Sequence, residues 1–487
     1  MDFPFGPLAP DQGELTPGAM MQADGVQPLA EGYGPFPSLS VPSSAGALSA
    51  APRGTISYQI ADGSWRTVFG TRTTVESLAS DYTLSSIDTG LTVTDGDDLS
   101  FLRFGTKLLY SDTTDGLRAY DVESLGAASA VAAAKNPRWI FECGNIVFGL
   151  DTLDSAGNRN NRLIRSSAFS DHTNWTTKGA DYQPLESGGA LIWGGKLTDT
   201  SALVLQQRAV RLIQVGNIGN ALWGIQSISE EFGAVGVRSC VAFDGRVFWL
   251  ATDGFRMFSG GGGIERIGAG FIDQWFLARV DQSNLGAVQG TIDPFRKNVL
   301  WRWSTDGAAT TFPYVLGYNW AFKRWFTLTV TTAYLAYTAQ AAATWDAYDA
   351  AATWDSVDAS LVWDSRLLSG GQPLFGALNS SYKFGFYTGS AMAATLETAL
   401  ADSGTTALIN WAKPLDDSAD GTLELGVADE LADSITWKTG VAKVASGRVP
   451  LRGRGKEIAF RRNISSASTW SYAKGVDFVD AKQGGPR

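Results

Sequence analysis

Apolar and polar residues alternate along this chain in short runs, and two-residue turns separate the runs at a nearly regular interval. The clearest case is Val241 and Phe243, then Asp244-Gly245, then Val247, Trp249 and Ala251. Alternation of period two places every second side chain on one face, which is the signature of a strand. Asp-Gly or Gly-X between two such runs reads as a hairpin, because the tight turn needs positive φ at its centre. Such turns stand at Asp62-Gly63, Gly105-Thr106, Gly144-Asn145, Gly194-Gly195 and Asp244-Gly245. Taken at positions 63, 105, 144, 195 and 245, they are 42, 39, 51 and 50 residues apart. Two further units keep the strands without the glycine, at Arg296-Lys297 and Asn379-Ser380, and another turn at Asp253-Gly254 leads into Phe255, Met257 and Phe258. Repetition at roughly 40–50 residues is the period of a propeller blade. The pattern predicts an all-β chain whose residues 46–390 form a β-propeller of about six or seven blades, each hairpin burying one face against the next. Helical periodicity is weak; residues 123–134 and 271–280 are the best helix candidates.

Three segments depart from the blade pattern. Residues 1–45 are rich in Pro, Gly and small residues, which predicts an extended arm rather than a strand or helix. Its aromatics Phe3, Phe5, Tyr33 and Phe36 would pack either on the chain's own propeller or on a neighbouring subunit, and they are candidate partner contacts. At about 340–370 a shorter repeat places Trp345-Asp346, Trp354-Asp355 and Trp363-Asp364 nine residues apart. Nine is not the blade period, so these pairs are not the signature of the Trp-Asp propeller family. They read as an insertion between blades, either an aromatic protrusion that contacts a partner or a self-packed surface loop. Residues 391–487 read as a small C-terminal β domain, with alternation at Leu423, Leu425 and Val427 and at Ile458 and Phe460. Within it lies a basic run that includes Lys438, Lys443, Arg448, Arg452, Arg454, Lys456, Arg461 and Arg462. The last six are candidates for contact with nucleic acid or an acidic subunit; the plainer reading is a solvated face.

Composition narrows the function classes. The chain has 487 residues, 44% hydrophobic, with 17 Trp, 25 Phe and 55 Gly, the profile of aromatic strands joined by glycine turns. A formal net charge of −10 argues against tight nonspecific nucleic-acid binding by the whole surface. Cys143 and Cys240 do not make a disulfide framework and are expected to be buried and reduced. Neither a membrane-spanning run nor a secretory signal is visible.

Catalytic constellations are sparse. The only histidine, His172, has no Gly-x-Ser-x-Gly elbow to serve and reads as a loop hydrogen-bonding residue. Gly260–Gly263 lacks the Gly-Lys-Ser/Thr ending of a phosphate loop. Asp95, Asp97 and Asp98 offer carboxylates to calcium, but without the twelve-residue ligand pattern. Paired carboxylates for sugar hydrolysis would be paired in space, which sequence does not reveal. The expectation is no catalytic residue, no metal and no cofactor.

Several stretches, in order, resemble a family of tail proteins from tailed bacteriophages, mostly short-tailed ones. They are Gly32-Tyr33-Gly34-Pro35-Phe36; Arg138-Trp139-Ile140-Phe141 with Gly144-Asn145-Ile146-Val147; Arg165 with Asn174-Trp175-Thr176; and Phe232-Gly233 through Arg238-Ser239. Asp253-Gly254-Phe255-Arg256, Ile267-Gly268, Ile292-Asp293-Pro294 with Trp301 and Trp303, Tyr318-Asn319-Trp320 with Arg324-Trp325, and Trp470 with Ala473 through Asp477 continue the series. The resemblance implies a tail hub or nozzle similar to the packaged-DNA stabilisation proteins of short-tailed phages. Such a protein forms a ring, commonly a hexamer, below the portal and its adaptor. It contacts tail fibre or needle proteins, closes the channel, retains the double-stranded genome and passes it during ejection. It would reside in the virion tail after folding in the host cytoplasm. A receptor-binding or fibre-attachment tail protein and a propeller glycosidase are the competing expectations.

Overall fold

A computed structural model of the chain describes residues 2–61, 65–79, 82–218, 221–261, 263–339, 373–429 and 434–483. It is all-β, and its main body is a β-propeller. Blades span residues 54–89, 100–130, 139–184, 191–229, 241–266 and 289–332, each an antiparallel set of four strands in chain order. The last blade takes three strands from Tyr334–Ala339, Pro373–Leu378 and Phe384–Ala391, and its fourth from the arm, Pro37–Ser40. Six of these sets are separate four-stranded sheets; the set at 289–332 is the end of a 15-stranded sheet. The ring therefore counts seven radial sets. The N-terminal strand closes it, Leu39 pairing with Tyr387 and Ser40 with Phe386.

The second strand of a blade is buried on both faces, because each blade is sandwiched between two neighbours. Arg246–Ala251 and Asn298–Trp303 are accordingly near-continuous apolar runs, broken only by residues such as the buried Arg302. Turns at Gly105-Thr106, Gly144-Asn145, Asp244-Gly245 and Arg296-Lys297 join first to second strands as expected. Asp244 and Gly245 have φ of 49° and 70°, the two positive values that a tight hairpin requires. Asp62-Gly63 lies outside the described residues, between strands that do pair, Gln59 opposite Trp65.

Two turn assignments are corrected. Gly194 and Gly195 lie inside the strand Leu191–Thr198, and the hairpin is at Asp199-Thr200. A Cβ on Gly194 would stand 2.4 Å from the Phe141 ring, and one on Gly195 2.2 Å from Trp193, so the pair serves close packing. Asn379-Ser380 is the second hairpin of its blade, not the first. The first hairpin holds residues 340–372, so the Trp-Asp repeat belongs inside a blade rather than between blades. Trp345, Trp354 and Trp363 themselves lie outside the described residues. Of the helix candidates, 271–280 contains the helix Asp273–Leu277, whereas 123–134 holds only the strand Ser129–Ala130 and the 3-10 turn Ala132–Ala134.

The arm is also corrected: it supplies the strands Asp2–Pro4, Met20–Asp24, Val26–Pro28 and Tyr33–Pro35 as well as the closing strand. Met20–Asp24 joins two parts of the molecule, meeting blade strand Arg324–Thr332 through Asp24 and Thr327 and pairing antiparallel with Ala394–Thr398. The C-terminal strands Ala401–Asp416, Val449–Ile464 and Ala473–Gln483 continue the same sheet. One hydrophobic core consequently runs through arm, blades and C-terminal sheet, with Phe5, Phe36, Trp301, Leu396 and Phe460 among its members. No helix among the described residues is long and apolar enough to cross a membrane.

Candidate functional site

The first strands of the blades surround an axial cavity of about 320 Å³. Ser57, Phe101, Trp139, Trp193, Val241, Thr291 and Tyr337 line it, one residue from each radial set. A second cavity of about 500 Å³ opens at the end where those strands begin, lined by the residues that lead into them, such as Arg53, Asp98, Arg138 and Arg238. The turns that join first to second strands, such as Gly105-Thr106, Gly144-Asn145 and Asp244-Gly245, lie at the opposite end.

The segment Asp95–Asp98 organises this mouth. Asp95 accepts from Arg53 at 2.8 Å, Asp97 pairs with Arg138 at 3.2 Å, and Asp98 pairs with Arg238 at 2.6 Å. Thr113 donates to Asp97 as well. Each of the three carboxylates considered for calcium thus pairs with a guanidinium. Asp98 precedes the second blade and Arg238 the fifth, so their bond crosses the ring between blades that do not touch in sequence order. Burial opposes the charge on Arg238, but the facing Asp98 outweighs it and raises the pKa. Arg302, 2% exposed, also lines the mouth. Its Nε donates to Gln289 at 2.9 Å and its Nη1 to the Ala333 carbonyl. Burial lowers its pKa to about 9.

The arm aromatics are spent inside the chain. Phe3, Phe5, Tyr33 and Phe36 are 6%, 1%, 0% and 0% exposed, which corrects the expectation that they reach a partner. Phe3 stacks edge-on to Phe460 at 4.9 Å, Phe36 meets Tyr387 at 5.6 Å, and Tyr33 Oη donates to the Gly6 carbonyl at 2.9 Å.

The basic run divides in two. Arg462 is fully buried, its Nε 3.0 Å from Asp416 and its Nη2 2.7 Å from Ser418. Arg461 bridges Glu397 at 2.7 Å and Glu424 at 3.1 Å and lies 3.9 Å over the Trp437 ring. Both are engaged within the chain, and Arg462, fully buried, is not available to DNA or an acidic partner. Lys456 is half-exposed and only 3.8 Å from Asp402. Arg448, Arg452 and Arg454 are exposed, and none forms an ion pair among the described residues. Arg452 and Arg454 alternate with buried Leu451 and Gly453, which puts them on one face of the long strand Val449–Ile464.

His172 makes no catalytic pair among the described residues; its carbonyl accepts from Trp175 Nε1 at 2.8 Å, and burial lowers its pKa. Cys143 and Cys240 are buried and unpaired, and burial raises the thiol of Cys143 to about 12. Asp24 and Glu397 share a cleft of about 460 Å³ beside Trp275 and Trp303. Glu397 is held there by Arg461, and Asp24 accepts from Thr327 at 2.9 Å. No cluster of metal-ligating residues occurs among the described residues. Sequence reading missed Arg302; its only signal was a charged residue between Trp301 and Trp303 in an otherwise apolar strand.

No family model matches the chain, and no curated protein does. Among solved structures, it is similar to one described as a streptogramin B lyase structure, at 12% identity and a TM-score of 0.37, over 60% of this chain and 86% of that one. It is also similar to one described as the structure of U3-55K, at 9% identity and a TM-score of 0.35, over 61% of this chain and 85% of that one.

Proposed function

We propose that the protein is a structural virion component, a tail nozzle or hub that assembles as a ring below a portal and adaptor, closes the DNA channel and passes the genome during ejection. The ordered series of motifs from Gly32 to Asp477 suggests the family. The observation that carries the assembly role is the row Arg448, Arg452 and Arg454, exposed and without ion pairs among the described residues, on a chain of net charge −10. Such a row meets an acidic surface on the neighbouring copy or adaptor, or the phosphates of passing DNA, through charge complementarity. The propeller axis is too narrow for DNA and is bridged by Asp98 and Arg238, so the conduit in this reading lies between copies. A closed ring also needs two different complementary faces on each subunit.

The test is the particle mass of the purified protein, alone and with portal–adaptor assemblies, together with negative-stain images. The expected particle is a ring, commonly of six copies, with a central channel. Replacing Arg448, Arg452 and Arg454 together by Glu is expected to abolish the ring while the monomer keeps its unfolding midpoint. A monomer or trimer that ignores the adaptor and binds cells or surface glycan would overturn the reading in favour of receptor binding. That alternative draws on the Trp-Asp repeat between Ala339 and Pro373, which pair at the end of their blade away from the arginine-lined mouth.

A further inference from the structure

Four arginines line the mouth of the propeller, and three have a carboxylate of their own: Arg53 with Asp95, Arg138 with Asp97, Arg238 with Asp98. Arg302, the most deeply buried of the four, forms no ion pair among the described residues. Its guanidinium lies 4.0 Å over the Phe312 ring and 5.2 Å from Tyr334. Nε and Nη1 are used, on Gln289 and Ala333, while Nη2 makes no hydrogen bond within the described chain. A buried cation without a counterion is costly, and buried charges are ordinarily paired. Ring faces offset part of that cost, but they are no substitute for an anion. The charges at the deep end, Asp98, Arg238 and Arg302, sum to +1. Beside them is an open cavity of about 500 Å³, floored by buried guanidinium and rimmed by small residues such as Gly286, Ala309 and Thr310.

We infer that the mouth of the propeller binds a small oxyanion, of the phosphate or carboxylate class, against Arg302 and Arg238. The bound group supplies the missing counter-charge, and the planar guanidinium suits oxyanion geometry. This inference does not depend on the virion reading, since it concerns one subunit and a soluble ligand.

The test is the thermal unfolding midpoint of the full chain, titrated with sodium phosphate and separately with sodium acetate, against sodium chloride at matched ionic strength. A ligand that binds only the folded state raises the midpoint in a saturable way. The expected result is a saturable rise with phosphate, acetate or both, beyond the chloride control; which anion acts identifies the source. Arg302→Met is expected to lose the response. Thr310→Glu, on the exposed rim, leaves the buried arginine in place and brings a carboxylate to the cavity; it too is expected to lose the response. If Arg302→Met does not fold, Thr310→Glu decides. No saturable rise in the unaltered protein, or an equal rise in protein and variants, overturns the inference.

Discussion

Asp273 shows how much a single side chain can be set by its surroundings. Its carboxyl is 4% exposed, Oδ1 accepts from the Phe255 amide at 2.9 Å, and Oδ2 has no hydrogen-bond partner among the described residues. Gly254 and Gly268 make room for it: a Cβ on either would come within 2.1 Å and 1.9 Å of the carboxyl. Burial raises its pKa from 3.8 to about 6. The folded protein therefore holds this proton where the unfolded chain has released it. The resulting stability is fully present below pH 3.8 and is lost as pH rises through about 6. Asp273→Asn is expected to remove that slope and to raise stability at pH 8 by about 2–3 kcal/mol. Urea unfolding of both proteins at pH 5 and pH 8 checks it; a stability difference between them that does not change with pH rejects the assignment. Asp24, Asp112 and Asp151, also raised by burial, contribute alike to both proteins and cancel in the comparison.

Elements were legible in the sequence where local chemistry decides them. Gly144-Asn145 and Asp244-Gly245 are turns because only a few residue types take positive φ cheaply, and that preference is written at the turn itself. The turn expected at Asp253-Gly254 falls one residue earlier, at Thr252-Asp253, and Gly254 opens the strand Gly254–Ser259 against the Asp273 carboxyl. Gly194-Gly195 carries the same signal for another reason, the approach of Phe141 and Trp193, which come from other positions on the same and the adjacent blade. The partner that decides Gly194, Phe141, stands on another blade and leaves no mark in the local pattern. Gly194→Val separates the two uses of glycine experimentally: a turn would tolerate it poorly through φ alone, whereas here it overpacks the interface between the third and fourth blades. The expected loss is about 1–3 kcal/mol, read from the denaturation midpoint, and a companion Phe141→Ala should recover part of it. The arm failed to read as strands for a similar reason. Its strands are three to five residues long, and their partners lie as far away as Thr327 and Val476. The basic run was legible as charge but not as function, because Arg462 is distinguished from Arg452 by distant partners, Asp416, 46 residues upstream, with Ser418 and Asp420 beside it.

At the scale of the whole molecule, the first residues serve three purposes: they close the last blade, join blade to C-terminal sheet, and fill the common core. Removing residues 1–45 is expected to leave the outer edge of Phe384–Ala391 unpaired and to strip Phe5, Tyr33 and Phe36 from the core. Such a truncated chain should aggregate through that edge and lose its single cooperative unfolding transition. Size-exclusion chromatography and a urea titration would show it, and a monodisperse truncation with an unchanged midpoint would refute it. The closing strand has a further consequence, in time. Leu39 is made early, and its partner Tyr387 is made 348 residues later. At about 5–20 residues per second, the N-terminal strand waits roughly 20–70 s for its place in the ring. Through that interval the nascent chain carries an unsatisfied strand and a growing open arc of blades. Ring closure thus becomes a late event coupled to completion of the chain, so a ribosome that stalls before Tyr387 leaves no closed propeller behind.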